Sequence, residues 1–468
     1  MVDPRDEEIA ALRQVVAQQQ ESIARLLKRV AELEAQLGQN SSNSGKPHSS
    51  DTPEQRSKRP KQKGSGKQRG GQPGHKGHRR ELVPPEQVTA TLDHFPEACG
   101  ACGHDLPAVP CAEPLRHQVT ELPVVVPEVT EHRLHDGTCD RCGHVTRAKL
   151  PAGVPQGMCG PRLIALIGLL TGPNRLSRRQ AVTLLSEVLG IHLSLGTLSE
   201  SEQRLSEALA VPVERALEHV CHERVKHVDA TGWSQAGQAR SLWTIASTLV
   251  TVFAITLDGS REHLRGLLAI VRGILVSDRA PQFRFWAMHM RQICWAHLLR
   301  KFVTFSEDKN PKVAQLGEVL LLFGQELFHQ WHRVRDGTLS RAAFRRETMA
   351  LRTCVEQLLQ RGVDLGLPEV SGSCANLLKH RQAMWTFIDK AGVEPTNNHA
   401  ERELRAFVLW RKASFGSQSD RGCRFAERIM TVVHTLRKQR RSVLDFLTTA
   451  VAAHLRNAPA PSLLPTPP

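Results

Sequence analysis

Apolar residues recur at alternating steps of three and four positions near the start of the chain, from Ile9 to Leu37. Sustained over about four heptads, this spacing predicts a coiled coil across 1–38. Gln19 occupies a seam position, where a polar side chain can fix register or partner number. An amphipathic helix packed on its own domain is the alternative. The pattern favours a homo-oligomer joined through this segment.

The apolar pattern stops in the next segment, 39–90, where Ser, Gly, Pro and Lys predominate. Between 46 and 80, eleven Lys and Arg side chains stand against Asp51 and Glu54, which gives a local charge of +9. This composition predicts a disordered basic linker. The linker is either a solvated spacer or a source of phosphate contacts, and its charge density favours DNA binding. The candidate DNA-binding residues in it are Lys58, Arg59, Lys61, Lys63, Lys67 and Arg69.

Two CxxCGH motifs follow within 91–156. Each motif directs two thiols at one point, and two such turns supply the four ligands of a tetrahedral zinc site. The intervening sequence resembles a β-hairpin, which predicts a zinc-ribbon-like module. Four unrelated thiols are the alternative, and His104 and His144 are possible substitute ligands. The predicted zinc ligands are Cys99, Cys102, Cys139 and Cys142.

The stretch 157–220 has the apolar spacing of helices. One helix is expected to end near Gly190, and Ser194 can cap a second that starts near Leu195. The pair resembles a helix-turn-helix, and a helical hairpin that makes no DNA contact is the alternative.

After residue 220 the apolar period changes to that of strands. Three strand candidates, an amphipathic helix and a fourth strand, "ILVSD", follow one another. This is the opening order of a ribonuclease-H-like α/β core, in which the first and fourth strands are neighbours. Asp229 lies in the first strand and Asp278 ends the fourth. Acids in apolar strands are costly unless they are paired or bind a cation, so we predict a metal site between them.

A third carboxylate is expected on a later helix, and Glu401 meets that requirement. The turn "EPTNN" can start a helix at Asn397 or Asn398. A Glu401–Arg405 pair on a solvated face is the alternative. Three carboxylates holding Mg²⁺ or Mn²⁺ suit phosphodiester hydrolysis or transesterification. Basic residues of the same helix that can hold phosphate are Arg402, Arg405, Arg411 and Lys412.

The overall charge points to the same class of partner. The 468 residues carry a net charge of +15 and have a pI of about 9.6. A polyanion is the expected partner, and DNA is favoured over a membrane because the most apolar run, 163–172, is too short to span one. No export signal is recognisable, so we predict a soluble, cytoplasmic protein. The odd number of cysteines, eleven, argues against a disulfide framework.

Taken in order, the motifs resemble those of the transposases of the insertion sequence 66 family. The likeness rests on "QNSSNSGKPHSSD", "GGQPGHKGH", the paired CxxCGH motifs, "HVDATGW", "VSDRAPQF", "ICWAHLLRKF" and "EPTNNHAERELR". The resemblance implies a DDE transposase with Asp229, Asp278 and Glu401 as its metal-binding triad. It also makes Cys294 and His297 neighbours of the site, with His297 a catalytic candidate ranked below the triad.

The resulting plan is a multidomain α+β protein. The catalytic core is expected in 221–302 and 390–450, with a helical insertion at 303–389 and a Pro-rich disordered tail at 451–468. A non-catalytic zinc-containing DNA-binding regulator and a purely hydrolytic nuclease are the alternatives. The sequence leaves open the DNA ends recognised and the need for accessory transposition proteins.

Overall fold

The computed structural model of the chain describes residues 81–465, together with residues 20 and 21. The predicted coiled-coil seam and almost all of the predicted basic linker lie outside the described residues. Those two interpretations stay predictions.

The first described region, 81–156, has little regular structure. It contains a short 3₁₀ helix, Pro85–Gln87, and a hairpin of β1 (Asp136–Thr138) and β2 (Val145–Arg147). The strands pair antiparallel, with Gly137 opposite Thr146. Both strands are exposed, so this region is built from local turns and has no apolar core of its own.

A helical block follows the hairpin region. It consists of α1 (Pro161–Thr171), α2 (Arg178–Leu189), α3 (Leu195–Ala208) and α4 (Ala210–His222). The predicted boundaries are confirmed, because Gly190 ends α2 in a left-handed conformation and the Ser194 side chain accepts from Thr197 N. Part of α3 is packed among other helices: its buried residues are Leu198, Ser201, Glu202, Leu205, Ser206 and Ala208.

A five-stranded sheet forms the centre of the molecule. Its strands are β3 (Val225–Gln235), β4 (Gln238–Ala246), β5 (Thr251–Thr256), β6 (Ile274–Ser277) and β7 (Arg291–Ile293). The order across the sheet is β5-β4-β3-β6-β7. The first three strands pair antiparallel, and β6 and β7 continue the sheet in parallel. The predicted neighbours, the first and fourth strands, do lie side by side.

The two connections that follow β5 are helical. Helix α5 (Arg261–Leu268) joins β5 to β6, and 3₁₀ turns at Pro281–Phe285 and Met288–Met290 join β6 to β7. After β7 comes α6 (Trp295–Ser306).

The predicted helical insertion is present. It contains α7 (Pro311–Arg335), α8 (Arg341–Asp364), α9 (Pro368–Lys379), α10 (Arg381–Met384) and α11 (Thr386–Asp389). These helices and α6 enclose a second apolar core, separate from the one under the rest of the sheet. The insertion is therefore a packed subdomain.

The chain then returns to the sheet through α12 (Asn398–Ser414), α13 (Asp420–Lys438) and α14 (Val443–Leu455). Helix α13 covers the open edge of β5. Thr435 Oγ1 and Thr431 Oγ1 each accept from a β5 backbone amide at 3.0 Å, and a Glu427 carboxylate oxygen accepts from Ile255 N. These side chains lie one helical turn apart, so one helix face satisfies alternate amides of the edge strand.

The prediction of a disordered tail from residue 451 was wrong for the described part of that segment. Helix α14 continues to Leu455, and Leu463 is only 1% exposed. Gln439 Nε2 donates to Leu463 O at 3.1 Å, and Arg441 Nη2 donates to Ser462 O at 2.9 Å. The buried Leu463 side chain and hydrogen bonds to the carbonyls of Ser462, Leu463 and Leu464 hold the segment in place despite its prolines. Along the described chain, we find no helix with the combined length and apolarity needed to cross a membrane.

Candidate active site and metal ligands

Asp229 and Asp278 stand at the same level of the sheet. In the parallel β3–β6 pair, His227 lies opposite Val276. Asp229 comes two residues after His227 and is still within β3. Asp278 comes two residues after Val276, directly after the end of β6. Because adjacent strands are about 4.8 Å apart, this register makes the two acids neighbours.

The surroundings of these carboxylates make ionisation costly. Burial, followed by the charge of Asp278, raises the pKa of Asp229 to about 7, and the charge of Glu401 adds to the same effect. Ala230 N opposes the shift by donating to Asp229 Oδ1 at 2.9 Å. Burial also raises the pKa of Asp278. A bound divalent cation would relieve this repulsion, so the donor set fits a hard metal ion such as Mg²⁺.

Glu401 lies in the first turn of α12 and is directed toward α6. Its Oε1 atom is 3.7 Å from His297 Nδ1 and 3.9 Å from Arg300 Nη2. The Cys294 Sγ atom lies 4.0 Å from the same oxygen. Cys294 and His297 therefore lie beside Glu401 in the structure. Arg300 was not identified from the sequence as a site residue, because nothing in the local sequence "HLLRKF" indicates that this arginine lies beside Glu401.

Asn397 connects the elements that carry these side chains. It is 1% exposed, and its Nδ2 atom donates to Val228 O at 2.9 Å, next to Asp229. Its backbone N donates to Cys294 Sγ at 3.1 Å, and its carbonyl accepts from Glu401 N at 3.2 Å. The sequence suggested a capping asparagine, but the Asn397 side chain makes no cap hydrogen bond. It holds β3, the start of α6 and the start of α12 in a fixed relation.

Cys294 and His297 have unusual environments for their types. Cys294 is 1% exposed, and burial raises the pKa of its thiol to about 11. Burial, with the nearby charges of Arg300 and Arg279, lowers the pKa of His297 to about 4, so its imidazole is neutral at pH 7. Its Nδ1 atom is buried and has no hydrogen-bond partner in the described structure.

Two further arginines surround Asp278, and sequence reasoning did not select either. Arg291 is fully buried and donates from Nη2 to Asp278 O at 3.0 Å. Arg279 donates from Nη1 to Asn376 Oδ1 on α9 at 3.2 Å, which links the site to the insertion. The one feature of the sequence that could have identified Arg279 is its position directly after Asp278 in "VSDRAPQF".

The basic residues predicted on α12 separate into two groups. Arg402, Arg405 and Lys412 are exposed on the helix surface. Arg411 is partly buried, and its Nη1 atom donates to Gly232 O and, at 3.3 Å, to Thr231 Oγ1. Arg411 therefore fastens α12 to β3. The linker candidates from Lys58 to Arg69 lie outside the described residues.

Both predicted CxxC turns have the same local geometry. Cys99 N donates to His104 O at 2.8 Å, and Cys139 N donates to His144 O at 2.9 Å. The glycine after each second cysteine has a positive φ, +74° at Gly103 and +70° at Gly143, which explains the CxxCG spacing. Backbone amides and the partner thiol lower the pKa of Cys99 and of Cys139.

Each pair is formed, but the structure does not bring the two pairs together. Within residues 81–465, three ligand atoms of His, Cys, Asp or Glu gather within 4.8 Å of one another at Cys294, His297 and Glu401. The ribbon cysteines form no such group in that range, and neither do the three carboxylates of the predicted triad.

Comparison with known proteins gives three matches. Residues 156–425 match the model described as "Transposase IS66 family", which covers more than half of the chain. Residues 2–81 match a family of unknown function (DUF6444). The chain is also similar to a Sinorhizobium fredii protein named "Uncharacterized protein y4hP", at 26% identity over 385 residues, which cover 73% of this chain and 68% of that one.

Proposed function

Because the chain belongs to the IS66 family of transposases, we propose that it is a DNA transposase that cuts and joins phosphodiester bonds at element ends with an Asp-Asp-Glu site. The carboxylates of that site are Asp229, Asp278 and Glu401. The observation that carries the assignment is the β3–β6 register, which makes Asp229 and Asp278 neighbours, and the charges of Asp278 and Glu401 both raise the pKa of Asp229. Three acids from distant parts of the sequence therefore share one electrostatic environment.

The sheet order supports a ribonuclease-H-like core. Three antiparallel strands, a helix and a parallel fourth strand beside the first are the arrangement expected of that fold. We assign this core to 221–302 and 390–450, with 303–389 as its helical insertion. Helix α6 crosses the first boundary, so core and insertion share an element.

The three carboxylates would hold Mg²⁺ or Mn²⁺. Such ions supply activation of a water or 3′-hydroxyl and stabilisation of the leaving oxygen. The protein holds these acids at fixed positions through β3, the end of β6 and the first turn of α12. Arg300 and Arg279, beside Glu401 and Asp278, supply positive charge for the DNA phosphates. The neutral His297 imidazole can accept or donate one proton at Nδ1, which makes it a candidate for positioning a nucleophile.

The remaining modules are assigned to holding DNA and joining copies of the chain. We assign 91–156 to a zinc-ribbon-like domain and 157–220 to the helix-turn-helix-like block. We assign 1–38 to a coiled coil for self-association and 39–90 to the basic DNA-binding linker. If the chain self-associates through 1–38, removal of that segment should lower the mass measured by sedimentation.

The function is tested by Mg²⁺-dependent cleavage and joining of DNA from both flanks of the coding region. Glu401→Gln should bind these ends but fail to cut them, because one carboxylate of the site is lost. Glu394→Gln, an exposed site on the turn before α12, is the matched control and should cut normally. Cutting by Glu401→Gln at the wild-type rate would refute the triad.

Pre-cut ends supplied with a target plasmid separate the proposal from hydrolysis. Water and a DNA 3′-hydroxyl can be activated by the same carboxylate-bound ions, so geometry alone does not distinguish a nuclease. Joined products favour a transposase. Cleavage without joining favours the nuclease, and equal binding without cleavage by both proteins favours the regulator.

A further inference from the structure

The side chains around Glu401 Oε1 belong to a different chemical class from the two aspartates. Cys294 supplies sulfur and His297 supplies an aromatic nitrogen, at 4.0 Å and 3.7 Å from that oxygen. Mg²⁺ prefers oxygen ligands, whereas sulfur and imidazole together select zinc and its neighbours among the transition metals. Binding of Mg²⁺ by the carboxylates therefore does not explain why Cys294 and His297 lie beside Glu401.

The separations are close to those that a tetrahedral ion imposes. With usual zinc bond lengths, the nitrogen and oxygen ligands are about 3.3 Å apart and the sulfur and oxygen ligands about 3.5 Å apart. The structure has these pairs at 3.7 Å and 4.0 Å, and all three ligand atoms lie within 4.8 Å of one another. To close the site, side-chain torsions would have to shorten the two pairs that include oxygen by about half an ångström, and the sulfur–nitrogen pair by up to about 1.3 Å.

The local structure also holds two of the donors ready. His297 Nδ1 is buried and has no hydrogen-bond partner among the described residues. Buried polar atoms are usually paired, so this nitrogen lacks the partner that a metal ion would supply. Cys294 Sγ already accepts from Asn397 N at 3.1 Å, which fixes the position of the sulfur beside Glu401.

We propose that Cys294, His297 and Glu401 form a binding site for a zinc-class divalent ion, with a fourth position open to water or a DNA oxygen. Three protein ligands and one open position are the arrangement of accessible zinc sites. The Arg300 guanidinium, 3.9 Å from Glu401 Oε1, is the competing cation that such an ion would displace from this oxygen. The inference goes beyond the proposed function, although it shares Glu401 with it: an ion bound here would withdraw that carboxylate from Mg²⁺.

The test uses Co²⁺ as the probe, added to the metal-stripped full-length chain. Thiolate-bound cobalt has a charge-transfer absorption that oxygen-bound cobalt lacks. Wild type should bind one more thiolate-bound Co²⁺ per chain than Cys294→Ser does. The cysteines of the CxxC pairs contribute equally to both proteins, so the difference of one does not depend on the ribbon assignment.

Two further variants separate ligand loss from misfolding. His297→Gln retains the thiol and should weaken Co²⁺ binding at this site by at least about 100-fold. Arg300→Gln should tighten it, because a neighbouring cation is removed. Cys423→Ser changes a buried cysteine away from the site and should match wild type.

Equal cobalt stoichiometry and spectra in wild type and Cys294→Ser would overturn the site. Unchanged affinity in His297→Gln would overturn it as well, even if Cys294→Ser proved unstable. Because these measurements involve no DNA, a failure of the proposed transposase activity leaves them unaffected. A protein that binds the ion but cuts no DNA would support this inference and contradict only the proposed function.

Discussion

The two sets of predicted metal ligands lie in opposite surroundings. The CxxC turns belong to a region with no buried residue between 81 and 156, where Leu115 is 99% exposed. Asp229 and Asp278 belong to a sheet with fully buried side chains such as Trp243, and Glu401 comes from a helix in a distant part of the sequence. The first set is organised by local backbone turns, and the second by tertiary packing.

This difference shows how each site must obtain its stability. A CxxCG turn needs a left-handed glycine and a few backbone hydrogen bonds, so each pair forms alone. Nothing apolar joins the two pairs, so an ion is needed to connect them. At the carboxylate site, the packing of β3, β6 and α12 holds the acids in place before any ion binds. The folded protein therefore carries the electrostatic cost of placing buried acids near one another. Metal binding should therefore complete the fold of the CxxC region, and it should relieve the repulsion between carboxylates at the other site.

The largest expected effect follows from removing metal from the CxxC region. Structural zinc stabilises a small domain by about 10 kcal/mol, so Cys139→Ser should loosen 91–156 and leave the sheet intact. Hydrogen exchange should become fast across that region and stay slow in β3 and β4. Cys111→Ser, an exposed cysteine in the same region but outside the pairs, should have no effect. A freshly purified, folded protein without zinc would contradict the comparison.

The second effect concerns Asp229→Asn, which should gain stability while losing function. The pKa of Asp229 is raised from 3.8 to about 7, so its charged form is disfavoured in the folded state. Wild type should therefore lose stability relative to the variant as pH rises from 4 to 7, with the full deficit present above pH 7. The deficit corresponds to up to about 4 kcal/mol.

Denaturant unfolding without metal at pH 4 and pH 8 measures this difference. Mg²⁺ should reduce it at pH 8, since cation binding offsets the repulsion. Cleavage by the variant should fall by about 1000-fold or more. Asp93→Asn, at an exposed site, is the matched control. Equal stability of wild type and Asp229→Asn at both pH values would show that the carboxylates do not strain the fold.

The third effect tests whether the carboxylate site is preorganised by tertiary links. Asn397→Ala removes the donor to Val228 O and leaves buried polar groups without partners, at a cost of about 2–3 kcal/mol. Its neighbour Asn398 is exposed, and Asn398→Ala should cost under about 0.5 kcal/mol. If Asn397 positions Glu401, the variant should also need more Mg²⁺ for half-maximal cleavage. An unchanged Mg²⁺ requirement would leave Asn397 a purely structural role.

The sequence predicted that Asp229 and Asp278 are neighbours because their positions followed from a pattern with physical content. An acid inside an apolar strand is costly, and the strand order made Asp229 and Asp278 neighbours, which the β3–β6 register confirms. The helix that begins at Asn398 was also predicted from its turn residues. These features depend on local spacing and on the order of elements along the chain.

Other features were not predictable, because they depend on how elements pack. Leu463 is a lone apolar residue among prolines and has no period, yet it is buried. Arg300 and Arg291 look like ordinary charged residues until tertiary structure places them beside acids. Equally, the sequence could not tell which arginines of α12 face β3.

The smallest expected effect separates two of those arginines. Arg405 is exposed, so Arg405→Ala should leave stability unchanged and weaken DNA binding modestly at all sequences. If it holds one phosphate, the slope of log affinity against log salt should fall by about 0.9. Arg411 donates to the β3 backbone, so Arg411→Ala should instead lower stability by about 1–2 kcal/mol. A salt slope reduced only in Arg411→Ala would mean that this side chain exchanges its strand contacts for phosphate when DNA binds, and that the site is less preorganised than its packing indicates.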